Sequence, residues 1–164
     1  MQESSNDFDH DSERSFWSVA EGDVKVAGRK AIVVSFDYDG TTTVVDSDSE
    51  LDAHGFPRGQ LNVTAAELMC LHAKRRDKVV IVTARTEDAL GEVWKMVKDN
   101  GLPVHKVYAT SLKAKSPTLN SIGASIHYDD NPFVVDEVRQ SLGSKVAVYF
   151  DTDMETNLKA ESQQ

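Results

Sequence analysis

Five short runs rich in apolar residues divide the chain, and helical segments separate them. Residues 31–36 and 79–82 are near-continuous apolar runs with many β-branched residues, and 104–109, 125–128 and 145–150 are three further candidate strands. Short apolar strands are typical of a parallel sheet buried on both faces. The pattern predicts an α/β fold, a three-layer Rossmann-like open sheet of about five parallel strands with helices on both faces.

Local signals predict a helix between each pair of strands. The predicted helices cover residues 64–74, 86–100, 116–122 and 133–142. Thr64 and Glu67 have the spacing of a capping box, which predicts Thr64 as the N-cap of the first helix. Asn131 and Pro132 have the residue types of an N-cap and a first helical position. Residues 24–27 are a candidate for one further short strand.

The two ends of the chain are polar and acidic. Residues 1–15 contribute −4 and residues 151–164 contribute −3 to a formal net charge of −9. We expect a disordered tail over 1–15, one domain over 16–150 and a frayed tail over 151–164. The acidity argues against a protein that coats DNA, which needs a basic surface. Because the tails carry most of this charge, a phosphorylated polymer end remains a permitted substrate.

The sequence predicts a cytoplasmic protein without a membrane partner. Cys70 is the single cysteine, so no intramolecular disulfide can form. No apolar run reaches the roughly 18 residues that a membrane-spanning helix needs. The acidic N-terminus lacks the apolar segment of a secretory signal, so we expect no export.

Residues that can carry chemistry follow the predicted strands. They are Asp37 and Asp39 after the first strand, Thr83 and Arg85 after the second, Lys113 and Lys115 after the third, and Asp129 and Asp130 after the fourth. Ligands of open parallel sheets bind at the carboxyl ends of the strands, so these side chains should converge. Carboxylates this close together raise one another's pKa unless a cation compensates them. An all-oxygen site indicates a hard ion, Mg²⁺, and Mg²⁺ in turn indicates phosphoryl chemistry.

The same residues carry a family resemblance. Asp37-Tyr38-Asp39-Gly40-Thr41 resembles the first signature, DxDG[TV], of the haloacid dehalogenase (HAD) superfamily. Thr83, a lysine at 113 or 115, and the pair Asp129-Asp130 match the second, third and fourth motifs in order. The resemblance covers roughly residues 30–150. It implies a HAD-like phosphatase whose cofactor is Mg²⁺.

The resemblance implies a role for each catalytic residue. Asp37 would be the nucleophile that forms an aspartyl-phosphate. Asp39 would be the general acid for the leaving oxygen and then the general base for water, which points to a phosphatase or phosphotransferase. Thr83 and a backbone N–H near Tyr38 would bind phosphoryl oxygens. Lys115, or alternatively Lys113, would neutralise charge on the nucleophile and the phosphate.

The resemblance also implies a metal site. Asp37, the backbone carbonyl of Asp39, and Asp130 would hold Mg²⁺. Asp129 would orient the lysine or a metal-bound water. The predicted ligand set therefore draws on both the first and the fourth motif.

The spacing between motifs leaves no room for a large cap domain. Residues 42–61 are polar and predict only a flap or loop. Such an open site admits a phosphate on a large molecule, and it suits a small phosphate where the flap or a homo-oligomeric partner closes it. Thr83-Ala84-Arg85 and residues 128–139 are similar to the 3′-phosphatase domain of phage polynucleotide kinases.

That similarity implies a nucleotide or nucleic-acid 3′-phosphate as substrate, with Arg85 as a substrate contact. Taken alone, Arg85 is equally well a surface charge at the start of a helix. The alternative function is a HAD-like domain that serves as a non-catalytic binding or assembly module, with the acidic tail as its interaction element.

Overall fold

Five parallel strands form the centre of the structure. The computed structural model describes residues 2–3 and 29–163. Its strands are β1 (Gln2–Glu3), β2 (Val33–Phe36), β3 (Thr43–Val44), β4 (Gln60–Leu61), β5 (Lys78–Thr83), β6 (Lys106–Ala109), β7 (Ala124–Asp129) and β8 (Ala147–Phe150). The main sheet has the order β1-β6-β5-β2-β7-β8, and within it only the two-residue edge strand β1 is antiparallel to its neighbour. The predicted five-stranded parallel sheet is confirmed.

Helices cover both faces of this sheet, as predicted. They are α1 (Val63–Lys74), α2 (Gly91–Asp99), α3 (Ser116–Ser121), α4 (Pro132–Leu142) and α5 (Met154–Ser162). Alternate residues of β5 point to opposite faces. Ile81 belongs to one apolar cluster with residues of α1, α2 and α5. Val82 belongs to a second cluster with residues of α3 and α4. The two clusters are the core layers above and below the sheet.

Two predicted helix starts differ from the structure. The N-cap of α1 is Asn62, whose side chain accepts hydrogen bonds from the backbone N–H groups of Thr64 and Ala65. The predicted capping box on Thr64 is therefore wrong, because Thr64 already lies inside the helix. The predicted helix 86–100 is divided into a short helical turn (Glu87–Ala89) and α2. Asn131 caps α4 as predicted, by accepting from the N–H of Phe133.

The predicted frayed tail over 151–164 is wrong for most of its length. Residues 154–162 form α5, which packs on α1. Met154 is buried and Leu158, one turn later, packs on the same core cluster. Arg75 on the α1 side forms an ion pair with Glu161. The helix was hidden in the sequence because only two of its positions, Met154 and Leu158, are strongly apolar.

The predicted N-terminal tail is described at residues 2–3 alone, where Gln2 and Glu3 pair with Ala109 and Tyr108. The rest of the tail and the candidate strand at 24–27 lie outside the described residues. Residues 42–61 form the predicted flap, a hairpin of β3 and β4. Among the residues that the structure describes, no helix is long and apolar enough to cross a membrane.

A buried ionic cluster around Asp77 connects the amino ends of β2 and β5. Asp77 accepts hydrogen bonds from Arg29 at 2.8 Å to each oxygen, from the Ile32 backbone N–H at 3.0 Å, and from His72 Nδ1 at 2.9 Å. Burial alone would raise the pKa of the Asp77 carboxyl, but the bonds from His72 and Arg29 outweigh it and lower this pKa to about 2. The cluster thus favours the ionised carboxylate in the folded state.

We therefore expect the stabilisation by Asp77 to depend on pH. Because the pKa is lower in the folded state than the ordinary value of 3.8, this stabilisation is complete above about pH 4 and disappears as the pH falls to about 2. The free energy of unfolding in urea should be about 2 kcal/mol lower for Asp77→Asn than for the native chain at pH 5, and this difference should shrink towards pH 2. A difference that stays constant over this range would contradict the account.

Candidate functional site

The carboxyl ends of three neighbouring strands form one cleft. β2 lies between β5 and β7, and these strands lead into Asp37, Thr83 and Asp129 respectively. The N–H of Asp37 donates to the Tyr128 carbonyl at 2.8 Å, which fixes Asp37 beside the end of β7. The cleft has a volume of about 240 Å³, and its walls include all four predicted carboxylates together with Thr83, Arg85 and Lys115.

A wide turn over Tyr38–Thr42 follows Asp37. The backbone N–H of Thr42 donates to the Asp37 carbonyl, and the N–H of Thr43 donates to the Tyr38 carbonyl. Gly40 has a φ of 84°, which side-chain-bearing residues adopt at a cost. A Cβ at this position would also lie 2.2 Å from Asp130 Oδ2. The glycine is therefore required twice, by the turn and by the approach of Asp130.

Three carboxylates meet in this cleft. Asp37, Asp129 and Asp130 each offer an oxygen, and these oxygens lie within 4.8 Å of one another. Burial raises the pKa of Asp37 well above its ordinary value, the Lys115 ammonium opposes this, and the neighbouring carboxylates Asp129 and Asp130 add to it. Three carboxylates against one ammonium leave an excess of negative charge. The donor set is all oxygen, which fits a hard divalent cation such as Mg²⁺.

The structure distinguishes the two candidate lysines. Lys115 is buried, and its Nζ lies 2.8 Å from Asp37 Oδ1 and 2.7 Å from Asp129 Oδ2. Burial alone would lower the pKa of this ammonium, but the two carboxylates raise it above its ordinary value, so the lysine stays charged. Lys113 has an exposed side chain and does not line the cleft. Of the two, Lys115 is therefore the one placed to act on Asp37.

A strained turn brings Lys115 to this position. Ser111 and Leu112 have positive φ values of 52° and 65°. Their backbone N–H groups donate to the carbonyls of Arg85 and Ala84, respectively. The segment after β5 therefore holds the turn before α3. Without this turn the spacing alone does not separate Lys113 from Lys115.

Arg85 is buried, so the interpretation as a surface charge is wrong. Its Nε and Nη2 donate to the two oxygens of Asp39 at 2.9 and 2.8 Å. Its Nη1 donates to Asp52 Oδ2 at 2.8 Å and to the Ala89 carbonyl at 3.1 Å, and Nη2 also donates to the Pro57 carbonyl at 3.1 Å. All five N–H groups of the guanidinium are thereby used within the protein. In this arrangement none is left for a phosphate.

Aromatic rings enclose the same guanidinium. Its central carbon lies 5.2 Å from the ring centre of Tyr38 and 4.9 Å from that of Phe56, distances typical of cation–π contacts. Tyr38 was predicted to contribute a backbone N–H to the substrate, and its side chain is buried against Arg85. Thr83, predicted to bind phosphoryl oxygens, lines the cleft and accepts the Arg85 backbone N–H at 3.2 Å.

The flap is held to this guanidinium through Asp52. One oxygen of Asp52 accepts from the N–H groups of His54 and Phe56, and the other accepts from Arg85. Burial alone would raise the pKa of the Asp52 carboxyl, but these N–H groups and the guanidinium hold it below its usual range. Asp52 was not predicted as a site residue, since an acid in a polar loop carries no signal that it will be buried.

His127 and Ser35 were also missed. His127 Nε2 lies 2.9 Å from Asp129 Oδ2, and His127 Nδ1 lies 2.9 Å from Ser35 Oγ. Both residues are fully buried within strands. Burial alone would raise the pKa of the Asp129 carboxyl. The Lys115 ammonium and the His127 ring outweigh burial, and they hold this pKa well below its ordinary value. The signal in the sequence was that Ser35 and His127 are polar residues inside strands.

We expect Arg85→Met to release the flap. The change leaves Asp39 and Asp52 without their cation, and breaking a buried ion pair costs about 3–5 kcal/mol. Urea unfolding should show this loss, and hydrogen exchange of the amides at 45–59 should become faster. The matched control is Arg58→Met, since Arg58 pairs with Glu92 at 3.4 Å on the exposed surface of the same flap. Equal effects of both changes on flap exchange would contradict this role of Arg85.

No protein-family model matches the chain, and no curated protein matches it at a significant level. The function is therefore inferred from the cleft, its three carboxylates around Lys115, and the two ion pairs of Arg85.

Proposed function

We propose that the chain is a Mg²⁺-dependent phosphomonoester hydrolase of HAD-like fold that acts through an aspartyl-phosphate on Asp37. The observation that carries the proposal is the contact of Lys115 with Asp37 in a cleft that also holds Asp129 and Asp130. A carboxylate nucleophile next to a phosphate needs cations on both reactants. Lys115 supplies one cation, and the three carboxylates would hold the other.

Asp37, Asp129 and Asp130 would hold the ion, and the backbone carbonyl of Asp39 stays a predicted fourth ligand. When bound, Mg²⁺ supplies compensation for the negative charge of the phosphoryl oxygens. In the first step a carboxylate oxygen of Asp37 bonds to phosphorus, and the bond from phosphorus to the leaving oxygen breaks. Lys115 keeps the other oxygen of the Asp37 carboxylate in place during this attack.

Asp39 would transfer the protons. In the first step it protonates the leaving oxygen, so that an alcohol departs. In the second step water attacks phosphorus, Asp39 takes the proton of this water, and phosphate and free Asp37 result. Both oxygens of Asp39 accept N–H bonds from Arg85 in the structure. Each oxygen keeps a further lone pair, so Asp39 would carry the proton either on a lone pair that Arg85 does not use or on an oxygen that has left the guanidinium.

The dimensions of the cleft bear on the substrate. At about 240 Å³ it is smaller than the roughly 300–1,000 Å³ of sites that enclose a small molecule. It admits a phosphoryl group and the atoms next to it, so the rest of a large substrate would lie outside. A nucleotide and a nucleic-acid 3′-phosphate both satisfy this condition. Because the N–H groups of Arg85 are all bonded within the protein, Arg85 gives no reason to prefer one of these two substrates. We therefore propose phosphomonoesters as the substrate class.

We expect Asp37→Asn to lower phosphate release from 4-nitrophenyl phosphate by about 10³-fold or more, since it removes the nucleophile. Asp48→Asn, an exposed acid on the flap, is the matched control and should retain activity. A chelator should abolish the native activity, and Mg²⁺ should restore it. Metal-independent activity, or activity that survives Asp37→Asn, would contradict the proposal. A native chain inactive on this ester and on a panel of phosphorylated compounds would favour the binding module.

The size of the cleft also predicts how substrates of different length compare. Because the cleft holds only the phosphate-bearing end of such substrates, a nucleoside 3′-monophosphate and an oligonucleotide 3′-phosphate should have kcat/KM values within about tenfold of each other, a difference of roughly 1.4 kcal/mol. Steady-state phosphate release measures both. If the oligonucleotide is preferred by a hundredfold or more, the protein also contacts the nucleic-acid strand outside the cleft, which would contradict this expectation.

A further inference from the structure

A continuous chain of buried polar side chains runs from the centre of the sheet to Asp37. Ser35 Oγ lies 2.9 Å from His127 Nδ1, and His127 Nε2 lies 2.9 Å from Asp129 Oδ2. Asp129 Oδ2 then contacts Lys115 Nζ at 2.7 Å, and Lys115 Nζ contacts Asp37 Oδ1 at 2.8 Å. All five residues are buried, and Ser35, His127 and Asp129 are almost completely so.

The sheet register produces this alignment. Ser35 on β2 and His127 on β7 are direct partners across the two parallel strands. Asp129 follows His127 by two residues and therefore points to the same face of the sheet. Burying a polar group costs several kcal/mol unless it is hydrogen-bonded. A serine and a histidine at the centre of the sheet are thus costly, and their bonds form a path that ends at the cleft.

The donors and acceptors can be assigned along the path. A carboxylate only accepts, so His127 Nε2 carries a hydrogen and donates to Asp129. In the neutral ring Nδ1 then accepts from the Ser35 hydroxyl. The second oxygen of Asp129 accepts the backbone N–H of Asn131 at 3.0 Å. Asp129 is therefore held at both oxygens, and its orientation determines where the ammonium of Lys115 lies.

We infer that His127, supported by Ser35, is a positioning residue of the active site. By donating to Asp129, it fixes the carboxylate that holds the Lys115 ammonium against Asp37. Its effect on rate rests on the proposed phosphatase function, whereas its effect on Lys115 does not. His127 has no contact with the cleft itself. Its loss should therefore change the turnover rate more than the binding of substrate.

The chain contains a matched control for this inference. His72 is also fully buried and also lies 2.9 Å from a buried carboxylate, that of Asp77. This pair belongs to the cluster at the amino ends of the strands, whereas His127 lies on the path to the cleft. His72→Phe and His127→Phe remove the same kind of bond. A merely structural role predicts similar results for both.

The kinetic test uses 4-nitrophenyl phosphate with Mg²⁺. We expect His127→Phe to lower kcat by about 10- to 100-fold, the usual effect of losing a second layer of contacts, with KM changed by less than about threefold. His72→Phe should leave kcat unchanged. His127→Gln should recover most of the rate, because its amide can donate to Asp129 and accept from Ser35. If His127→Phe does not fold, Ser35→Ala tests the same path and should lower kcat by a smaller factor.

A second readout does not need activity. Buried between two carboxylates, the Lys115 ammonium should exchange slowly enough to give its own nitrogen–proton NMR signal, identified by its loss in Lys115→Met. His127→Phe or Ser35→Ala should shift this signal, and His72→Phe should not. An unshifted signal, or equal kcat values for His127→Phe and His72→Phe, would overturn the inference. If the native chain releases no phosphate, the proposed function fails, and the NMR shift still decides the positioning of Lys115.

Discussion

The ammonium of Lys115, between Asp37 and Asp129, is the interaction on which the functional edge of this molecule depends. Its distances of 2.8 and 2.7 Å allow two buried carboxylates from neighbouring strands to lie side by side. Without this cation their repulsion and desolvation would oppose the pairing of β2 with β7 at the cleft. The same contact brings the start of α3 to the end of the sheet. The two ion pairs of this one lysine thus join three elements and orient the proposed nucleophile.

Two other cations organise the rest of the structure in the same way. Arg85 joins Asp39 to Asp52 and so connects the turn after β2 with the flap. Arg29, in the segment before β2, pairs with Asp77, which precedes β5, at the amino ends of the strands. Each lies where the chain enters or leaves a central strand. The apolar strands supply the core, and the buried ion pairs determine how the loops at their ends are placed.

The sequence predicted the sheet well because buried parallel strands have a composition that few other elements share. It predicted the carboxylates and Thr83 because they follow those strands directly. It left Lys113 and Lys115 unresolved, since the choice depends on two residues in left-handed conformations. It missed His127 because one polar residue in a strand resembles an ordinary substitution until its partner across the sheet is known. It missed α5 because Met154 and Leu158 are its only strongly apolar positions.

The central claim is that Asp37 is a nucleophile beside a divalent cation, and a phosphoryl mimic tests it most directly. Fluorine NMR of the protein with beryllium fluoride shows whether the mimic binds a carboxylate. The account predicts bound fluorine signals that require both Mg²⁺ and Asp37, and that disappear in Asp37→Asn. Signals that persist in Asp37→Asn or without Mg²⁺, or no bound signal in the native chain, would contradict it.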